Sequence, residues 1–151
     1  MNVQGSSIAE LARDPSLAVL LAEYAAESSI PGLPPPAAKM DSYRELEARG
    51  LLHVLSAIHE RRLIGFLTLL APVLPHYGVA VAVSESFFVA RAYRGTGAGL
   101  KLLRAAEDTA RRLGSPGLLV SAPYEGDLFK VLPRVGYAEV NRVFFKKVNH
   151  A

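Results

Sequence analysis

The 151-residue sequence contains no cysteine. This absence excludes a disulfide framework, a thiolate metal site and a cysteine nucleophile. Histidine is scarce, and the four positions show none of the spacings typical of metal ligands, so we expect no metal site: His53, His59, His76 and His150. The N-terminal stretch MNVQGSSIAELARDPS lacks the charged and apolar regions of a signal peptide, so the cytoplasm is the expected location.

The sequence also lacks a concentration of charge of either sign. Its formal net charge is only +3, and the basic residues are dispersed along the whole chain. No basic patch is interleaved with aromatic residues, so we expect no nucleic-acid binding. Half of the residues are apolar, which suits one compact domain that spans residues 1–151.

One apolar run, LIGFLTLLAPVLPHYGVAVAV at positions 63–83, is about as long as a membrane span. Two prolines and a glycine in its centre would interrupt a helix where lipid offers no replacement hydrogen bonds. We therefore interpret the run as two strands joined at APVLPHYG, and we expect no membrane segment.

The remaining patterns predict helices and strands that combine into an α/β fold with a mixed, mostly antiparallel sheet. Helix 97–113 is the clearest element, because an apolar stripe lies opposite its charged residues. The predicted order is helices 16–29 and 41–50, hairpin strands 51–60 and 61–71, strand 78–90, helix 97–113, strand 118–122, helix 126–136 and a final strand 137–148. Residues 2–11 also allow a small first strand.

The stretch FFVARAYRGTGAGLKLLRAAE has three glycines in five positions immediately before that helix: Gly95, Gly97 and Gly99. Backbone N–H groups at the positive end of a helix dipole bind anions, and glycine lets a phosphate approach them. The spacing matches neither the dinucleotide fingerprint Gly-x-Gly-x-x-Gly nor a Walker loop with Gly-Lys-Ser/Thr. A glycine-rich turn that only lets the helix pack tightly on the strand is the alternative.

The run from Arg94 to Gly99 fits the Arg/Gln-x-x-Gly-x-Gly/Ala signature, and the chain here resembles the GNAT superfamily of N-acetyltransferases. The preceding strand and the order of elements over nearly the whole chain are also similar to that family. The resemblance implies a GNAT-like sheet with helices on both faces, in which a bulged strand splays from its parallel neighbour.

The same resemblance implies that acetyl-CoA is the cosubstrate. Its pyrophosphate would lie on the turn that includes Arg94, Gly95, Thr96, Gly97, Ala98, Gly99 and Leu100. Its pantetheine arm would lie in the splayed gap, along the main chain of Phe88, Val89 and Ala90.

Acetyl transfer to an amine needs a group that takes the amine's proton and a route to protonate the leaving thiolate. Glu85 is the only carboxylate in the apolar run of its strand, where it shares parity with Phe87 and Val89, and it is the candidate base. The alternative is a solvent-facing side chain. The family often has a tyrosine four residues before a late Gly-Phe, but Leu132 stands at that position, so Tyr124 is the replacement acid, unless it only packs or binds substrate.

Aromatic and acidic residues and one methionine, from the two N-terminal helices, the proline loop between them and the strands, are candidates for an acceptor pocket: Tyr24, Glu27, Met40, Asp41, Tyr43 and Tyr77. Tyr24 and Met40 equally fit a plain core. The favoured hypothesis is an N-acetyltransferase that transfers acetyl directly to the primary amine of a small molecule or peptide in a ternary complex. The alternative is a non-catalytic acyl-CoA-binding or sensing domain on the same fold. A homodimer, paired through the final strand, is also compatible with the sequence.

Overall fold

A computed structural model describes residues 1–148 of the chain. The strands are β1 (Asn2–Ser6), β2 (Leu52–His59), β3 (Arg62–Leu70), β4 (Val73–Leu74), β5 (Val79–Ala80), β6 (Ala82–Val89) and β7 (Leu118–Leu119). The α-helices are α1 (Ile8–Arg13), α2 (Leu17–Glu27), α3 (Met40–Ala48), α4 (Ala98–Arg112) and α5 (Asp127–Val131). Short 3-10 turns cover Arg91–Tyr93 and Leu132–Val135.

Five strands form the main sheet in the order β1-β2-β3-β6-β7, and β4 pairs with β5 in a separate hairpin. The first three pairings are antiparallel, and β6 and β7 are parallel. Helices α1, α2 and α3 pack on one face of the sheet, and α4 packs on the other. The predicted α/β class, with a mixed, mostly antiparallel sheet and helices on both faces, is confirmed.

The parallel pair is joined at one end only. Ala82 pairs with Leu118 and Val83 pairs with Leu119. Beyond these pairs, the Ser121 N–H donates to the Ser84 hydroxyl at 3.1 Å, and β6 and β7 form no further pair. Within residues 1–148, the second half of β6 therefore pairs with no strand on the side of β7, as expected for the splay that the resemblance implies.

Strand β6 contains a bulge. On β3, Thr68 pairs with Ser86 and the next residue pairs with Ser84, so Glu85 is an extra residue in β6. A bulge changes the alternation of side chains, and Glu85 turns toward Thr68 on the face of α1 to α3, whereas Phe87 packs against the cluster under α4. The predicted shared parity of Glu85 and Phe87 is wrong for this reason.

The N-terminal segment contains a helix that the sequence reading missed. The Ser7 hydroxyl accepts from the Glu10 N–H at 3.1 Å, and the Glu10 carboxylate accepts from the Ser7 N–H at 3.0 Å. This capping box starts α1 directly after β1. The first strand allowed within residues 2–11 therefore ends at Ser6, and the rest of that segment is helical.

The predicted final strand 137–148 is wrong, because no strand forms over those residues. Its β-branched and aromatic side chains are largely exposed, with Val143 and Phe144 90% and 89% accessible. The segment passes the proline loop, where a Cβ on Gly32 would lie 2.9 Å from a ring carbon of Phe145. Strand propensity measures packing against neighbouring strands, and here the segment pairs with none.

The apolar run 63–83 forms most of β3, the β4–β5 hairpin and the start of β6. The predicted strand 78–90 is thus divided, because β5 belongs to the hairpin and β6 to the main sheet. Among residues 1–148, no helix is long and apolar enough to cross a membrane.

The close contact between β3 and β6 yields a stability prediction. A Cβ on Gly65 would lie 2.8 Å from the Phe88 carbonyl oxygen, and backbone cannot move aside as a flexible side chain can. We expect Gly65→Ala to lower the free energy of unfolding by about 1–3 kcal/mol, measured by urea denaturation. Gly5→Ala is the matched control, because a Cβ on this strand glycine meets no atom within 4 Å. Equal losses in the two variants would contradict the prediction.

Candidate functional site

The glycine-rich turn connects β6 to α4 through left-handed backbone. Gly95 has φ of 84°, and Gly97, which caps α4, has φ of 87°. Most residues with a Cβ resist these angles, so glycine is suited to both positions. The sequence signal for this turn therefore has a direct conformational cause.

The packing alternative for the three glycines gains no support from the geometry. A Cβ on Gly95 or Gly97 would meet no atom within 4 Å. A Cβ on Gly99 would lie 3.8 Å from Val89 Cγ2 and 3.9 Å from Phe87 Cζ, which are ordinary contacts. No atom of α4 or β6 thus requires the absence of a Cβ at these positions, so close packing does not account for the glycines.

The start of α4 presents main-chain donors. Its first helical hydrogen bond runs from the Lys101 N–H to the Gly97 carbonyl at 3.0 Å, so the N–H groups of Ala98, Gly99 and Leu100 precede that bond. The Thr96 hydroxyl donates to the Tyr93 carbonyl at 2.6 Å and helps to hold the turn. An exposed turn at the positive end of a 15-residue helix is an arrangement that binds anions.

Arg94 is held in place by three contacts. Its Nε donates to the Val89 carbonyl at 3.0 Å, and its terminal nitrogens donate to the two carboxylate oxygens of Glu27 at 3.2 and 2.6 Å. Its guanidinium carbon lies 5.1 Å from the centroid of the Phe88 ring. The cation at the turn is therefore neutralised in part by a carboxylate from α2.

Glu27 bridges two arginines instead of lining an amine pocket. Besides Arg94, it accepts a hydrogen bond from Arg91 at 2.8 Å. The hydrogen bond from Arg94, joined by that from Arg91, lowers the pKa of the Glu27 carboxyl below its ordinary value. Asp41, the other acidic candidate for the acceptor, pairs with Arg44 on the surface.

On the side of β6 that no strand covers, the exposed main-chain groups belong to alternate residues. The Ala90 N–H donates to the Ile64 carbonyl at 2.8 Å. Phe88, two residues earlier, pairs with Phe66, so its main-chain N–H and C=O also point toward β3. Because these groups alternate along a strand, those of Phe87 and Val89 point toward the open edge. The Phe88 ring is buried on the face of α1 to α3. Val89, more than Phe88, thus faces the splayed gap with its main chain.

A cavity of about 250 Å³ lies on the other side of β6, against α1, α2, α3 and the proline loop at positions 36–38. Tyr24, Met40 and Tyr43 line it, as the sequence reading expected of an acceptor pocket. Tyr77 lies elsewhere, 66% exposed beside His76 in the β4–β5 hairpin.

Glu85 lines this cavity with a side chain that is still exposed to solvent, and two hydroxyl groups hold it. The Tyr43 hydroxyl donates to Oε1 and the Thr68 hydroxyl donates to Oε2, each at 2.9 Å. Burial, together with the Glu85 charge, raises the pKa of Tyr43 well above its ordinary value, and the same causes raise that of Tyr24. Both phenols are therefore neutral near pH 7, and Tyr43 donates its hydrogen bond to the carboxylate.

The sequence reading did not identify Thr68 as a residue of the site. Its hydroxyl also accepts from the Ser86 N–H at 3.1 Å and lies 2.6 Å from the Ser86 hydroxyl. A single hydroxyl in the apolar stretch LIGFLTLL was the available signal, because a buried polar group requires a hydrogen-bond partner.

The late part of the chain places the remaining candidates apart from Glu85. Tyr124 is 88% exposed in the turn before α5, outside the residues that line the cavity. Leu132 is buried at the start of the last 3-10 turn. Within residues 1–148, no group of three or more histidine, cysteine, aspartate or glutamate side chains is placed to hold a metal ion, and His150 lies outside the described residues.

The fold and site define an α/β protein in which one strand lies between a glycine-rich turn at a helix N-terminus and a cavity lined by a carboxylate. The family profile described as "Acetyltransferase (GNAT) family" matches residues 18–126, which is most of the chain. The protein belongs to the GNAT acetyltransferase family, as the resemblance of its glycine turn indicated.

Solved structures share this fold at low sequence identity. A ribosomal-protein-alanine N-acetyltransferase from Brucella melitensis biovar Abortus 2308 is 18% identical, with a TM-score of 0.73 over 98% of this chain and 100% of that chain. The aminoglycoside 6'-N-acetyltransferase AAC(6')-IG from Acinetobacter haemolyticus is 23% identical, with a TM-score of 0.67 over 99% and 100%. The aminoglycoside N-acetyltransferase AAC(6')-Iy, solved in complex with CoA, is 17% identical, with a TM-score of 0.72 over 99% and 100%. Among curated protein sequences, none matches this chain.

The contact between Glu27 and Arg94 predicts a pH-dependent contribution to stability. A carboxyl whose pKa is lowered by folding stabilises the protein above its unfolded value of about 4.5, and this contribution disappears as the pH falls through the folded value. We expect Glu27→Gln to lower the free energy of unfolding by about 1 kcal/mol at pH 7. The difference from the unchanged protein should shrink between pH 5 and pH 3 in urea denaturation.

The matched control for this prediction is Glu45→Gln, which removes a carboxylate from an exposed pair with Arg49 on α3. Such a surface pair contributes little, so this variant should lose less stability at pH 7. A loss for Glu27→Gln that stayed constant from pH 7 to pH 3 would contradict the assignment.

Proposed function

We propose that the protein is an N-acetyltransferase that transfers acetyl from acetyl-CoA directly to a primary amine in a ternary complex. The observation that carries the proposal is the position of β6 between two sites. Its free edge and the glycine turn lie toward one site, and its bulged residue Glu85 enters the cavity on the other. This arrangement lets a donor and an acceptor meet across one strand.

The residues of the turn fit the diphosphate of acetyl-CoA. The N–H groups of the first turn of α4 would hold its oxygens, and the left-handed glycines leave open space where a side chain would otherwise stand. The main chain at Val89 would pair with the pantetheine arm, as a neighbouring strand does, once the Arg94 side chain shares or releases the Val89 carbonyl. Thr96 would support the turn from behind through its bond to Tyr93.

Glu85 would bind the incoming ammonium group and accept its proton. Bound acetyl-CoA supplies the acetyl group as a thioester, so a carbon–nitrogen bond forms as the carbon–sulfur bond breaks and CoA leaves as the thiolate. Tyr43 and Thr68 hold the carboxylate in one orientation, which favours the same hydrogen-bond geometry at each turnover. A thiolate is a tolerable leaving group without a protein acid, so transfer does not require Tyr124.

One observation favours a second candidate, a non-catalytic acyl-CoA-binding or sensing domain. Leu132 occupies the position at which the family often has a tyrosine, and Tyr124 is 88% exposed. Both candidates bind acetyl-CoA, and only the enzyme releases CoA faster in the presence of an amine.

The single domain of residues 1–151, the cytoplasmic location and the homodimer stay predictions of the sequence.

Acetyl-CoA should stabilise the chain against thermal unfolding. At a ligand concentration a hundred times Kd, the expected gain is about 2.7 kcal/mol. Gly97→Glu should abolish the melting shift, because it places a carboxylate beside the phosphates. Gly114→Glu is the matched control, since Gly114 has a similar φ of 76° at the opposite end of α4 and should keep the shift. A folded sample without a shift in acetyl-CoA or CoA would overturn the proposal.

Glu85→Gln should keep the melting shift with acetyl-CoA and lower kcat by about 100-fold or more. The loss should be largest at low pH, where fewer acceptor molecules are neutral and the proton acceptor matters most. A thiol reagent measures released CoA without background from the protein, because the chain has no cysteine. Glu45→Gln on the exposed side of α3 is the control. Full activity in Glu85→Gln would remove Glu85 from the mechanism.

A further inference from the structure

The cavity that contains Glu85 restricts the acceptor, given the proposed function on which this inference rests. Its volume is about 250 Å³, just below the range of roughly 300–1,000 Å³ that is typical of sites for drug-sized ligands. Helices α1, α2 and α3, the proline loop and the sheet surround it. A small molecule, or the first residue of a peptide, matches this size, and a multi-ring sugar does not.

The charge of the cavity admits one cation. Within residues 1–148, Glu85 is the only charged residue that lines it. The phenols of Tyr43 and Tyr24 are neutral, because burial and the Glu85 charge raise their pKa, so they add no second negative charge. Any further ammonium group of an acceptor that entered the cavity would find no carboxylate partner there, and burying such an unpaired charge is unfavourable.

The other walls are mostly apolar. They are formed by aliphatic and aromatic side chains of α1, α2, α3 and β3: Ile8, Leu11, Leu17, Leu21, Met40 and Phe66. Such walls favour a hydrocarbon body and offer few partners to the hydroxyl groups of a sugar. The polar groups are confined to one end, around Glu85, Thr68, Ser86 and Tyr43.

The Glu85 carboxylate keeps acceptor capacity for the amine. Each oxygen accepts one protein hydrogen bond, from Tyr43 or from Thr68. A carboxylate oxygen has two lone pairs, so one remains on each for an ammonium group. The geometry points to an acceptor that is a small primary amine with one positive charge and an apolar body, its nitrogen at Glu85 and its body against the walls of α1 and α2.

A panel of amines tests this inference under saturating acetyl-CoA, with CoA release as the readout. The monoamines are 2-phenylethylamine and 3-methylbutylamine, the polycations are spermidine and sisomicin, and a peptide with N-terminal leucine represents the same chemistry on a larger molecule. We expect kcat/KM for the monoamines or the peptide to exceed that for both polycations by at least 100-fold. Whichever of the monoamines and the peptide reacts faster shows whether the amine belongs to a small molecule or to a peptide N-terminus.

The outcomes separate this inference from the proposed function. Acetylation of spermidine or sisomicin at least as efficient as that of the monoamines and the peptide would overturn the inference and leave the acetyltransferase intact. If acetyl-CoA binds and no amine is acetylated, the enzyme proposal fails. In that case, calorimetric titration of 2-phenylethylamine and of the peptide into the CoA complex tests the inference separately. Absence of binding by both would overturn the inference as well.

A change of selectivity provides a second test. Ala38→Glu adds a carboxylate on the exposed loop wall of the cavity, where it does not disturb the core. The ratio of kcat/KM for 1,4-diaminobutane to that for 3-methylbutylamine should rise at least 10-fold. Val19→Glu adds the same charge at a position of α2 that is 64% exposed and outside the cavity, and it should leave the ratio unchanged. An unchanged ratio in a folded Ala38→Glu variant would show that the acceptor binds elsewhere.

Discussion

One extra residue in β6 determines where the candidate chemistry lies. In a regular strand, the position before Ser86 would face α4, where Phe87 packs. The bulge turns Glu85 to the opposite face, where Tyr43 and Thr68 donate to its carboxylate. Within residues 1–148, the same strand pairs with no neighbour on the side of β7 beyond Val83. One strand therefore contributes both the carboxylate of the cavity and an edge that no strand covers.

Helix α2 connects the two sides of this strand. Tyr24 packs edge-on against Phe66 and Phe88 in the wall of the cavity. Three residues later, less than one helical turn, Glu27 binds Arg94 at the glycine turn. A displacement of α2 would therefore affect both the wall of the cavity and the arginine beside the glycine turn. Through Glu27, the helix holds the Arg94 side chain in one position and neutralises part of its positive charge.

Local signals predicted much of the fold. The left-handed glycines and the amphipathic α4 appear where the sequence placed them, since both depend on short-range conformational preferences. The final strand 137–148 does not form, because a strand requires a neighbour with free main-chain groups and the sequence cannot show whether one is available. Helix α1 was missed although Ser7 and Glu10 carry a capping-box signal.

For the site, the sequence by itself determined the glycine turn, because its glycines, spacing and following helix are contiguous in the chain. It also supplied Glu85 as a lone carboxylate among apolar residues. Only the tertiary structure decided which face Glu85 occupies and which side chains hold it. Thr68 is 17 residues away and Tyr43 is 42 residues away along the chain, and sheet register and helix packing bring both to one carboxylate. Such long-range contacts depend on the positions of whole elements, which no local pattern records.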